Sequence, residues 1–485
     1  MKKCLIALAA LLLASIVPAQ AAAARTTVLV YMCGSDLESE GASGTADMEE
    51  MIAAGIQPDG DVTVLVETGG AEHWHMQGIR SRVLQIHRIT QEGASLCRTL
   101  PQRSMGDAAT LGEFLAFARE QAPAERTLLV LWGHGDGPDG GVCYDDLYYG
   151  DTLMPEEIAA ALAEAEDAGQ RVEAVILDAC LMNCVDLLRA LGPHTDYIVA
   201  SQDSTLASGC NYQDWLSLLS DAPETGTGAL CARIAQGYIE TTRHGAFSAS
   251  STMSVLDARR AESVWRAAEA LYARLDASLP GNRDALFAAR AKVASFGDEE
   301  DGSGSNLVDA DQLCDALRTL APRECAALSA AVNSAVLLCE SSGKQLRNAC
   351  GLSLYMPGES ADRLSALYAR YRPLSRESAY ARLIVRMADL ARESTSRTPA
   401  ATAVDRYHIW QGLGEPRPYA GRLWEGLEAP AAGRAAAGAR EMRSQTQRMA
   451  PMRRRPVITG PSHDTMWLVE ANAGRRIGCT LAAPA

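Results

Sequence analysis

After residue 17 the chain has no apolar run approaching the roughly 20 residues that a membrane-spanning helix needs. It has no excess of positive charge either. The formal net charge is -15 and the isoelectric point near 5.1, which argues against nucleic acid as partner, because phosphate binding needs clustered Lys and Arg. Cationic partners are the electrostatically favoured class. Thirteen cysteines are present without zinc-site spacing: Cys180-Leu181-Met182-Asn183-Cys184 is followed by no second pair or histidine cluster. A chain this long does not need disulfides to hold its core, and although some pairs suit an exported protein, the spacing does not fix their connectivity. No internal repeat and no EF-hand ladder is found. Asp145-Asp146, and Asp36 with Glu38, are read as solvated surface carboxylates.

What is present begins with Lys2 and Lys3, the apolar stretch Leu5 to Val17 and the small-residue segment Pro18-Ala19-Gln20-Ala21, the layout of a cleaved secretory signal over residues 1–21. The expectation is a soluble protein in extracytoplasmic space, secreted or periplasmic. Six short β-branched apolar runs read as strands: Thr27 to Met32, Val62 to Glu67, Arg82 to His87, Thr127 to Trp132, Glu173 to Asp178 and Tyr197 to Ser201. Helical patterns over Asp107 to Gln121 and Pro155 to Ala168 alternate with them, which implies an α/β domain with a largely parallel sheet. Beyond Asn211 the pattern turns helical, at Gly226 to Glu240, Asp257 to Ala277, Pro322 to Cys339 and Arg376 to Arg392. Thr252 to Leu256 and Leu352 to Met356 read as strands rejoining the sheet, and Gly297 to Ser305 as a solvated acidic loop. From residue 393 to 485 Ala, Gly, Pro and Arg dominate, the composition of a low-order tail.

Two strands end in residues suited to hydrolytic chemistry. One leads into Gly133-His134-Gly135-Asp136-Gly137, the other into Asp178-Ala179-Cys180. Sites in parallel α/β sheets gather beyond the carboxyl ends of strands, so both side chains should meet on one sheet edge. Cys180 is then a candidate nucleophile at the start of a helix expected over Leu181 to Leu191, whose dipole would favour the thiolate. His134 is its candidate acid/base partner. The N–H groups of Gly135 and Cys180 are candidates for an oxyanion hole.

The segments Thr127-Leu128-Leu129-Val130-Leu131-Trp132-Gly133-His134-Gly135-Asp136-Gly137 and Glu173-Ala174-Val175-Ile176-Leu177-Asp178-Ala179-Cys180-Leu181-Met182 resemble the His-Gly and Asp-Ala-Cys blocks of the clostripain family of caspase-like cysteine peptidases. Tyr31 to Glu38, Glu67-Thr68-Gly69-Gly70 and Gly351 to Pro357 are similar to further stretches of that family. The resemblance implies a caspase-like α/β fold over residues 25–392, a central mostly parallel sheet flanked by helices with helical additions in the second half. It also implies endopeptidase activity on peptide or protein substrates, a preference for Arg or Lys before the cut, and in some members calcium dependence or self-cleavage. No cofactor is otherwise required. Asp178 then becomes a candidate for the first specificity pocket. In the pocket loop Thr205 to Tyr212, Ser208 stands where basic-specific relatives carry a second acid, with Asp203 as a nearby substitute.

Two other readings stay open. His73-Trp74-His75 with Glu72 could serve a metallohydrolase, set against a packed Trp74 between solvent-facing histidines. An exported binding protein could also keep a peptidase-like fold without turnover.

Overall fold

The computed structural model describes residues 24–244, 250–297, 305–344, 346–358 and 363–397, with the backbone of short strands at 448–449, 457–458, 466–469 and 476–479. The expected signal and nearly all of the expected acidic loop and tail lie outside the described residues.

The first half runs β1 (Ala24–Cys33), α1 (Ser35–Ser39), α2 (Ser43–Ala53), β2 (Val62–Gly69), β3 (Val83–Thr90), β4 (Gly93–Pro101) and α3 (Ala108–Gln121). It continues through β5 (Ala124–Trp132), β6 (Val142–Asp145), β7 (Asp151–Leu153), α4 (Pro155–Asp167), β8 (Val172–Asp178), α5 (Val185–Leu191) and β9 (Tyr197–Ala200). Next come β10 (Thr205–Leu206), α6 (Tyr212–Asp221), α7 (Thr227–His244), β11 (Ser251–Asp257), α8 (Ala261–Arg290), β12 (Leu307–Asp309) and α9 (Ala310–Leu317). The last are α10 (Pro322–Ala335), β13 (Val336–Ser342), β14 (Ser353–Tyr355), α11 (Leu364–Leu374), α12 (Ala379–Arg397) and β15 (Arg448–Met449).

One nine-stranded sheet, ordered β13-β11-β9-β8-β5-β1-β2-β3-β4, organises the molecule. Its five central strands, from β9 to β2, are parallel, and antiparallel pairs close both edges. The central strands read as near-continuous apolar runs because both of their faces are covered. Tyr31 stacks on Phe114 of α3 at 6.2 Å between ring centroids, while the next residue, Met32, lies against Gly44 of α2, so helices pack on opposite faces. Asp107 caps α3 by accepting from the Ala109 N–H at 2.9 Å, and Pro155 opens α4. Met32 pairs with Trp132 and Trp132 with Asp178, so β1, β5 and β8 end level on one edge.

The six expected strands and the two expected helices between them are all present, with no end shifted by more than three residues. Other expectations are corrected. Helix α10 stops at Ala335, and Val336 to Cys339 instead enter the edge strand β13, where pairing with β11 takes the run out of the helix. Strand β11 joins the main sheet, but β14 does not: it pairs with β12 in a separate two-stranded ladder. The helix expected from Leu181 starts only at Val185, because Leu181 adopts φ +65° and the Asn183 amide bonds the carbonyls of Ala200 and Gly351. Helix α12 continues to Arg397, past the expected start of the tail. Among the described residues the cysteines outside the tail are free thiols.

Candidate active site

The loops after β5 and β8 meet as the parallel register requires. Gly133 donates its N–H to the Asp178 carbonyl at 3.3 Å, joining the two strand ends. Two residues further on, a Cβ placed on Gly135 would lie 2.3 Å from the Cys180 carbonyl oxygen and 3.0 Å from the Cys180 nitrogen. Only a residue without a side chain lets these main chains approach so closely. After His134 the chain turns into a hairpin with β6 by two bonds, Cys143 N–H to the His134 carbonyl at 3.0 Å and Asp136 N–H to the Gly141 carbonyl at 2.9 Å. The Gly135 N–H takes no part in that ladder. Arg363 pairs with Asp136 and lies 3.8 Å from Asp139, which ties this hairpin to the start of α11.

His134 is buried, and its Nε2 lies 2.6 Å from Asp36 Oδ1. Tyr144 packs edge-on to its ring at 6.3 Å. Asp36 lies in the first turn of α1, three residues beyond β1, on the same sheet edge as His134 and Cys180. The expectation that Asp36 and Glu38 are solvated is thereby corrected. Glu38 is wholly buried, accepting from Thr45 N at 2.8 Å, Thr45 Oγ1 at 2.7 Å and His75 N at 2.7 Å, and it anchors α1 to α2 and the loop after β2. Asp145 is likewise buried, accepting from the N–H groups of Met105 and Leu147 at 2.8 Å each.

Cys180 has no solvent exposure. The loop that carries it runs beside the chain leaving β9: Leu181 N–H donates to the Asp203 carbonyl at 3.2 Å and Asn183 N–H to the Ser201 carbonyl at 2.9 Å. Thr205 is thereby brought onto the thiol, with its N–H 3.2 Å and its Oγ1 3.4 Å from Sγ. Burial pushes the Cys180 thiol up to about 12, against which the Thr205 contacts act weakly, while Asp203 and Asp136 push the same way as burial. Helix α5 begins five residues on, so its N-terminus does not start at the sulfur as the sequence suggests. The block Gly351 to Tyr355 lies beneath this loop, with Ser353 N–H donating to the Asn183 carbonyl at 3.0 Å.

The expected pocket residues separate. Asp178 is fully buried, its Oδ2 accepting from Cys210 N at 3.0 Å and Tyr212 Oη at 2.9 Å. Burial raises it to about 6, although both donors work to lower it. Ser208 is exposed, and Asp203 Oδ1 accepts the Gly297 N–H at 2.8 Å. His73 and His75 are exposed around a buried Trp74, and among the described residues no three His, Cys, Asp or Glu side chains are grouped as metal ligands.

A comparison with protein families matches residues 30–384 to the clostripain family. The fold is similar to that of an inactive zymogen C11 protease from Parabacteroides distasonis, with TM-score 0.54, 19% identity, and coverage of 75% of this chain and 98% of that one. It is also similar to a secreted C11 cysteine protease from Bacteroides thetaiotaomicron in complex with an irreversible peptide inhibitor, with TM-score 0.53, 16% identity, and coverage of 72% and 96%. None of the curated proteins compared is similar enough to match. The family match spans most of the chain, and on that ground the protein belongs to the clostripain family of cysteine proteases.

Proposed function

We propose that the protein is an exported endopeptidase in which Cys180 attacks the peptide carbonyl, His134 transfers the proton, Asp36 orients His134, and a basic residue is preferred before the cut. The observation that carries this reading is the convergence at the ends of β5 and β8, where Gly135 packs on the Cys180 main chain and His134 is held by a carboxylate. In the first step the thiol proton passes to the imidazole as sulfur bonds to the carbonyl carbon. The developing oxyanion is met by the N–H groups of Gly135 and Cys180. The imidazolium then protonates the leaving amine, leaving a thioester, and a water deprotonated by His134 releases the acid and restores the thiol. Asp36 Oδ1 against Nε2 fixes the ring and favours its charged form. Asp178 would receive the guanidinium or ammonium of the substrate, and the signal over residues 1–21 would direct export.

One observation favours the other reading, a silent peptide-binding fold: the thiol is fully buried with its proton held tightly. A peptide acyloxymethyl ketone ending in Arg separates the two. Covalent labelling of Cys180, together with loss of peptide hydrolysis by several orders of magnitude in Cys180→Ala, is the expected result. An unlabelled thiol in a folded protein that cleaves no peptide in a library would overturn the peptidase reading.

A further inference from the structure

Around Asp178 the sequence offers only one well-placed acid, since Ser208 is exposed and Asp203 is turned to Gly297. The fold brings a second from a different element. Asp47, on the first turns of α2, is 1% exposed and accepts from Trp132 Nε1 at 2.6 Å. Both carboxylates converge on Gly209, where the chain between β10 and α6 adopts φ +60°. A Cβ at that position would lie 2.4 Å from Asp47 Oδ2 and 3.1 Å from Asp178 Oδ2, so the pair is crossed by the one residue type that has no side chain.

We propose that Asp47 is the second acid of the pocket that takes the basic side chain before the cut, acting with Asp178 where Ser208 offers no acid and Asp203 is the substitute that the sequence suggests. The proposal rests on the preference for Arg or Lys proposed above. Its place in the fold is right, because Asp178 precedes Cys180 by two residues and Gly209 follows Thr205, which holds the Cys180 sulfur, by four.

The surroundings of the pair contain acids and neutral donors. Asp178, Glu50 and Glu38 act with burial to raise Asp47, and the Trp132 hydrogen bond opposes them. Asp178 is met by Tyr212 and Cys210, and Glu50 accepts the Tyr212 N–H at 2.8 Å. Asp178 Oδ1 is buried without a hydrogen-bond partner among the described residues. Two buried carboxylates side by side are costly, and burial with mutual repulsion holds Asp47 well above the ordinary carboxylate range. A substrate guanidinium supplies a positive charge and a donor for Oδ1, and its arrival displaces the proton that the empty pair retains. In the closed state the main chain at Gly209 covers the pair, so the segment 207–209 must shift for a side chain to enter.

The test compares kcat/KM on matched peptides with Arg or Gln before the cut, for the wild type, Asp47→Asn and Asp178→Asn, with melting curves beside each. The wild type should favour Arg, and Asp47→Asn should lower the Arg to Gln ratio about ten- to a hundredfold through a higher KM, the worth of one charged hydrogen bond. If Asp178→Asn collapses the ratio and a folded Asp47→Asn keeps it, Asp47 is not part of the pocket. If the wild type does not distinguish Arg from Gln, the basic preference falls first and this proposal with it.

Should Asp47→Asn not fold, calorimetry of benzamidine binding to the wild type in buffers of different ionisation enthalpy decides. At pH 7 a pair that retains a proton should release clearly more than a tenth of a proton per cation bound. A lone Asp178 titrating near 6 would release about a tenth, and that result overturns the proposal.

Discussion

Thr205 holds the Cys180 sulfur from two sides, through its N–H at 3.2 Å and its hydroxyl at 3.4 Å. The same residue begins β10, whose other partner is the short strand β15 from near the C-terminus, with Thr205 opposite Met449 and Leu206 opposite Arg448. The nucleophile candidate thus rests neutral and covered, and in this state it is a poor target for small alkylating agents. With limiting iodoacetamide at pH 7.5 and no peptide present, mass mapping should find the exposed Cys97 modified before Cys180. Modification of Cys180 first would show that the closed arrangement is not the one populated in solution.

Asp36 should matter for the chemistry more than for the fold, since its carboxylate is partly exposed and its partner is His134. Asp36→Asn keeps the size and loses the charge, so the imidazolium loses its stabiliser and titrates lower. His134 must be unprotonated to take the proton of a neutral thiol, so the acid limb of kcat/KM should move to lower pH, and kcat should fall by less than the about 10²- to 10⁴-fold that losing an acid–base group costs. An unchanged pH profile with full activity would remove Asp36 from the mechanism.

The strand ends were legible because the central strands are apolar on both faces, and the matched placement of His134 and Cys180 needed only the rule that sites lie beyond carboxyl ends in parallel sheets. The same rule applied to β1 would have found Asp36, which was set aside as a surface carboxylate. Asp47 gave no such signal. It sits within a helix, and the register of Trp132 with Asp178 and the crossing at Gly209 bring it beside Asp178. The missing helix turn after Cys180 was illegible for a related reason. Residues Leu181 to Cys184 have helical spacing, but Asn183 spends its amide on two carbonyls, one of them 168 residues away.

Gly135→Ala tests the packing at the centre of the site. The added methyl would meet the Cys180 carbonyl oxygen at 2.3 Å and the Ala179 Cβ at 3.0 Å, a main-chain atom and a methyl that cannot swing aside, in the two residues that follow β8. Because the backbone must yield, His134 and the Gly135 N–H shift relative to Cys180, and a displacement near 1 Å can cost about 10²-fold in rate. The expected result is a folded protein with kcat lowered by that order, and retention of wild-type kcat would show that the close approach is unnecessary.

The pH dependence of stability is set on the side of β1 that faces α3 by Glu67, a fully buried carboxyl whose two oxygens have no hydrogen-bond partner among the described residues. Burial raises it to about 8, with Glu113 adding to the shift and Arg103 opposing it. An unfolded glutamate titrates near about 4.3, so between that value and 8 the native state binds more protons than the unfolded chain, and stability falls as pH rises through this window. Glu157, raised to about 7, and Asp145, raised to about 6, act in the same direction. Glu67→Gln removes the titration while keeping the shape. Melting curves of the two proteins should therefore lie nearest one another at pH 4 to 5 and separate progressively up to pH 8, with the variant the more stable, and then run parallel. A gap that is the same at pH 5 and pH 8 would mean that Glu67 is ionised throughout and paired with a cation in solution.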